Sequence, residues 1–144
     1  SAYGAAHMIN YRRATFVDRV RELTGGKGVK VVYDSVGKDT FDGSLSCLRP
    51  FGLMATFGNA SGAPAPVATS VLAAKGSLYL TRPTLFTHLS SRERTQAMAD
   101  ELFEVVRNGS VKIRIDQRYP LAQAAQAHRD LEARKTTGCS VLLA

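Results

Sequence analysis

The stretch Gly28-Val29-Lys30-Val31-Val32-Tyr33-Asp34-Ser35-Val36-Gly37 decides the fold. Val29 to Val36 is dense in β-branched residues and bounded by glycines, which predicts a buried strand. Leu53-Met54-Ala55-Thr56-Phe57, closed by Gly58-Asn59, has the same continuous apolar character. Ser77-Leu78-Tyr79-Leu80-Thr81, closed by Arg82-Pro83, makes a third such run. Strands that are continuously apolar, rather than alternating, belong to a parallel sheet covered on both faces. With helices between them the fold class is α/β.

Working outward, His7-Met8-Ile9-Asn10 is an apolar run too brief to classify alone. Between Ala14 and Thr24 the stripe Phe16, Val17, Val20 and Leu23 predicts an amphipathic helix. Gly25-Gly26 stops it, as a left-handed cap glycine does. Phe41 to Leu48 reads as a helix broken by Arg49-Pro50-Phe51-Gly52, and residues 60–68 as a proline-bearing loop. Val71 to Lys75 reads as a short helical turn. Ser90 or Ser91 caps a helix reaching about Val106, ended by Asn108-Gly109. Val111-Lys112-Ile113-Arg114-Ile115 alternates as a half-exposed strand does. Pro120 opens an alanine-rich helix, Leu121 to Arg134, and Val141 to Ala144 is a last apolar strand.

The 144 residues fit one domain, and 44% hydrophobic with 22% charged residues suits a globular chain with a real core. No apolar run approaches the ~18 residues a membrane span needs. Ser1-Ala2-Tyr3-Gly4 carries no basic segment leading into an apolar one, so no signal peptide is read there. The two cysteines, Cys47 and Cys139, form no CxxC pattern, which points to a reducing, cytoplasmic compartment. Nineteen basic against twelve acidic residues give +7. Such an excess suits nucleic acid, an acidic membrane surface or a phosphorylated small molecule. Here the bases are interspersed with acids, as in Arg92-Glu93-Arg94, which favours a solvated face over a nucleic-acid tract.

Four segments taken in order resemble the zeta-crystallin-like quinone oxidoreductase branch of the medium-chain dehydrogenase/reductase superfamily. They are Ile9-Asn10-Tyr11-Arg12, Val31 to Gly37, Gly52 to Asn59 and Leu80-Thr81-Arg82-Pro83. Ala133-Arg134, Gly138 and the apolar tail continue the match, so the resemblance runs from about Gly4 to the end. It implies the C-terminal portion of such an enzyme, a zinc-binding dehydrogenase-type nucleotide-binding domain. The expected architecture is an incomplete Rossmann-type parallel sheet with helices on both faces, lacking its first two strands and its phosphate loop. His7 to Asn10 would be the third strand of that sheet. Residues 1–120 would form the truncated nucleotide-binding domain, and 121–144 a helix and strand returning toward a catalytic domain. Gly25-Gly26-Lys27-Gly28 follows a helix and precedes a strand, the wrong polarity for a phosphate cradle.

The resemblance also implies a site. Tyr11 and Arg134 would hold the adenosine 2′-phosphate of NADPH. From the residues alone the leading reading is structural: Arg134 is a surface cation favouring a helix C-terminus and Tyr11 a strand-closing tyrosine. Ser35, Phe57, Gly58, Asn59, Thr81 and Arg82 end three strands at one rim, where α/β sheets bind ligands. Gly58 would let the backbone approach a nicotinamide ribose, and its local alternative is a plain strand-ending turn. His7, His88 and His128 lack ligand spacing, Cys47 lies on an apolar helix face, and no metal site is expected. No acid–base residue is identified. The implied function is NADPH-dependent hydride transfer to a quinone or enone-like acceptor, in a homodimer joined through Ser77–Thr81. The rival is a non-enzymatic nucleotide- or RNA-binding module.

Overall fold

A computed structural model of the chain describes residues 4–144, and it divides between Ser90 and Ser91 into two compact units. In the first unit the elements run α1 (Phe16–Leu23), β1 (Val29–Asp34), α2 (Phe41–Ser46), β2 (Leu48–Thr56), α3 (Thr69–Ala74), β3 (Tyr79–Thr81) and α4 (Leu85–His88). The three strands form a parallel sheet in the order β1-β2-β3. Val32, Met54 and Leu80 stand side by side across it, and their face packs on Phe41 and Leu45 of α2. Leu48, Leu78 and, from α3, Val71 and Leu72 complete this core. Leu45, Leu48 and Met54 are fully buried, each contributing about 1.5–3 kcal/mol by leaving water. On the opposite face Tyr33 and Tyr79 remain exposed.

Helix α1 ends as its glycines predict. The Gly26 amide donates to the Arg21 carbonyl at 2.7 Å and the Gly25 amide to that of Glu22 at 3.1 Å, with φ of 57° at Gly25. This is a Schellman cap, so the glycine cluster is a turn. The Arg21 guanidinium donates to the carbonyls of Gly26 and Ser46 at 2.8 and 2.7 Å, tying α1 to the end of α2. Phe16 of α1 lies where a side chain on Gly43 of α2 would be.

Two expectations in this unit need correction. Arg49-Pro50-Phe51-Gly52 does not separate a helix from a strand; it lies within β2 as a large bulge. Val29 pairs with Leu48 and Val31 with Leu53, so Lys30 faces all four residues. Phe51 takes a φ of 59° there, and proline is tolerated because a bulge needs no ladder N–H. His7 to Asn10 forms no strand, because no described strand lies beside it to supply a ladder. Instead Asn10 starts a turn, its carbonyl accepting from the Arg13 amide at 3.0 Å.

The second unit runs α5 (Arg92–Arg107), β4 (Ile115–Pro120), a 3-10 turn (Leu121–Gln123), α6 (Ala124–Glu132) and β5 (Cys139–Leu143). The Ser91 hydroxyl caps α5, accepting from the Arg94 amide at 3.3 Å. Strand β4 pairs in parallel with β5. The alternating run Val111 to Ile115 is therefore not the strand, which starts at its last residue and ends on Pro120. Proline then leads through the 3-10 turn and does not itself begin α6. The boundary expected between residues 120 and 121 falls inside this unit. No helix among the described residues is long and apolar enough to cross a membrane.

Candidate functional site

Parallel pairing puts the C-terminal ends of β1, β2 and β3 at one edge of the sheet. The turns leaving β1 and β2 are built on each other. The Phe57 amide donates to the Asp34 carbonyl at 2.9 Å, that of Ala60 to Ser35 at 3.2 Å, and that of Ser61 to Val36 at 2.8 Å. In return the Lys38 amide donates to the Gly62 carbonyl at 3.0 Å. The Ser61 hydroxyl donates to the Val36 carbonyl at 2.8 Å and accepts from the Asp39 amide at 3.0 Å.

Beneath these turns lies Asp34, only 4% exposed. One carboxylate oxygen accepts from the amides of Val36 and Gly37 at 2.8 and 3.0 Å. The other accepts from the hydroxyls of Thr40 and Ser44 at 2.8 and 2.7 Å. Burial would raise the Asp34 carboxyl, but bonds from Ser44, Gly37, Thr40 and Val36 together outweigh it and hold it below its ordinary value. A charge without a cation is thus kept ionised by four donors.

Ser35, Phe57, Gly58, Asn59, Thr81 and Arg82 all stand at this edge. Ser35, Asn59 and Thr81 are exposed, as is half of the Phe57 ring. Arg82 reaches across two strand ends, donating to the Gly58 carbonyl at 3.4 Å and the Thr56 hydroxyl at 3.5 Å. A cleft of about 260 Å3 brings Tyr11 together with Ser35, lined also by Phe16, Val20, Tyr33 and Val36. A Cβ on Gly58 would sit 2.4 Å from the Ser35 carbonyl oxygen. The turn-on-turn packing therefore requires glycine at this position, whatever approaches from outside.

Arg134 lies in the second unit, exposed, just past α6 at a φ of 56°. The hydrogen-bonded group Asp34, Thr40 and Ser44, and the Ser61 hydroxyl, are not singled out by the sequence. One signal was available, an acid closing an otherwise apolar strand, but its partners sit in another element. Cys47 is buried as expected; burial raises its thiol, against a smaller opposing effect of Arg21. Among the described residues no group of three His, Cys, Asp or Glu could hold a metal ion, so these residues do not fit a zinc site.

A family model described as zinc-binding dehydrogenase matches residues 3–142. The quinone oxidoreductase of Pseudomonas aeruginosa is 52% identical over 141 residues, covering 98% of this chain and 43% of that protein. The 2-haloacrylate reductase of a Burkholderia species is 45% identical, covering 97% of this chain and 42% of that protein. A crystal structure of Escherichia coli quinone oxidoreductase complexed with NADPH superimposes with a TM-score of 0.91 at 48% identity, covering 98% of this chain and 44% of that one. The chain thus spans less than half the length of the proteins it matches.

Proposed function

Since the chain belongs to the zinc-binding dehydrogenase family, we propose that it forms part of an NADPH-dependent oxidoreductase acting on a quinone or enone-like acceptor. The observation that carries this reading is the rim itself. Ser35, the 57–59 turn, Thr81 and Arg82 share the C-terminal edge of one parallel sheet, where such folds take nucleotides. Tyr11 adds a phenol to the cleft beside Ser35. Bound there, NADPH would supply the hydride, and the protein's part would be to bind and orient it. The exposed Phe57 ring offers an apolar wall and Arg82 a cation with spare N–H groups at the strand ends. Arg134, with a planar fork suited to phosphate, would favour a 2′-phosphate, as would the phenol of Tyr11. The acceptor is left broad because relatives at similar identity are named for quinones and for 2-haloacrylate. A cytoplasmic homodimer joined through β3 completes the reading.

The test is cofactor discrimination in the complete protein. Charge-assisted hydrogen bonds contribute ~1.5–3 kcal/mol, so Arg134→Ala should weaken NADPH by ~10–100-fold. NADH, which has no 2′-phosphate, should bind as before. Equal losses for both cofactors would show that Arg134 acts through stability, and the phosphate assignment would fall.

A further inference from the structure

We propose that Asp34 is the positioning residue of the strand-end rim, fixing the 35–37 turn on which the 57–62 turn is built. This rests on the reading of the rim as the cofactor site and adds to it a buried residue on the floor of the Tyr11–Ser35 cleft whose carboxylate is taken up by four protein donors. The argument begins with what the two turns lack. Neither contains helix or strand, so their backbone groups must be satisfied by one another or by side chains. Ser35 and Val36 give their carbonyls to the amides of Ala60 and Ser61, while Phe57 is held by the Asp34 carbonyl. The second turn is therefore cast on the first.

The first turn is in turn held by the Asp34 carboxylate through the Val36 and Gly37 amides. The same group anchors α2 through Thr40 and Ser44. Close packing leaves little room for another arrangement. A Cβ on Gly37 would lie 2.5 Å from the Gly62 carbonyl oxygen, and one on Gly58 2.4 Å from that of Ser35. Among the described residues no basic side chain bonds to the carboxylate, and Ser44, Thr40 and the two amides are its hydrogen-bond donors. Position, not ion pairing, is what these contacts transmit.

The experiment compares Asp34→Ala, Asp34→Asn and the double variant Thr40→Val with Ser44→Ala in the complete protein. Two quantities are read: amide exchange at Ala60 and Ser61, and NADPH affinity by fluorescence titration. Asparagine keeps an acceptor for both amides, and the two hydroxyls can rotate to accept from its NH2 group. It should stay within about twofold of the parent in both measurements, well inside the effect of one lost hydrogen bond. Alanine should speed exchange at Ala60 and Ser61 and weaken NADPH, each by ~10-fold or more, the scale of a lost charge-assisted bond. Unchanged exchange at those amides in folded Asp34→Ala would overturn the proposal. So would an Asn variant that binds NADPH as weakly as Ala. If Asp34→Ala does not fold, the double variant decides, since it loosens α2 from the carboxylate while leaving the amide contacts. Exchange at Ala60 and Ser61 should then rise less than fivefold, and a larger rise would place the control in α2 instead. A parent protein that does not bind NADPH would sink the proposed function alone, because the exchange arm tests Asp34 without ligand.

Discussion

Arg134 occupies a backbone position that helices usually give to glycine. Its amide donates to the Leu131 carbonyl at 3.0 Å and that of Lys135 to Asp130 at 2.9 Å, the same cap that closes α1 at Gly25-Gly26. One cap thus uses glycine at a φ of 57° and the other arginine at 56°. A left-handed non-glycine residue costs ~1–2 kcal/mol, and such strain collects where a side chain is needed. Arg134→Gly should relieve it, less ~0.4–1 kcal/mol for the looser unfolded chain. The net gain of about 0.5 kcal/mol should raise Tm by ~1–2 °C, measured by thermal melting. An unchanged or lower Tm would mean that the guanidinium contributes more to stability than its backbone costs. Nothing in the local sequence announces this residue. Its helix-end position is legible from the alanine-rich pattern, but its special conformation depends on where the helix stops. Asp34 was hidden for a different reason: its four donors come from the next turn and the next helix.

At the level of elements, the short strand β3 carries the proposed self-association. The run Ser77 to Thr81 reads as five strand residues, whereas pairing covers only Tyr79–Thr81. Ser77 is left-handed at a φ of 55°, Leu78 is turned into the core at 6% exposure, and Leu80 also packs there. Only Tyr79, 61% exposed, presents apolar surface outward. The backbone edge, with no described strand on its outer side, is therefore the stronger attraction for a second copy. Tyr79→Pro removes an N–H from that edge. Light scattering should then report half the parent's mass, with circular dichroism preserved. A folded variant of unchanged mass would move the contact elsewhere. The three core strands were legible because parallel strands buried on a core are continuously apolar. The bulge and β4 were not. Proline and glycine mimic a break within β2, and the alternating Val111 to Ile115 competes with a pairing that β5 alone selects.

For the whole molecule, the α/β class was legible in the spacing of apolar runs. The Ser90–Ser91 division was not, because that serine pair reads only as a helix cap. The proposed nucleotide rim stands here without a phosphate loop: among the described residues no glycine-rich turn opens a helix after a strand. Hydride transfer needs donor and acceptor in near-attack geometry, which one rim does not enforce. This stretch alone, given NADPH and 1,4-benzoquinone, should turn over far below the ~1 s⁻¹ at the low end for ordinary enzymes. Oxidation of NADPH followed by absorbance checks it, and a rate near that value would refute the expectation.

Strand order repeats chain order, since β1 pairs with β2, β2 with β3, and β4 with β5. Each ladder is closed by the stretch directly between its strands, residues 35–47, 57–78 and 121–138. Loop closure costs grow with the logarithm of length, so each crossover costs less to close than a pairing with a strand farther along the chain. Each ladder can form as soon as its second strand leaves the ribosome, without waiting for a distant partner. Residues 34 to 62, with the carboxylate and both interlocked turns, emerge as one continuous segment. These two turns can thus take their final shape before the rest of the rim, Thr81 and Arg82, has been synthesised.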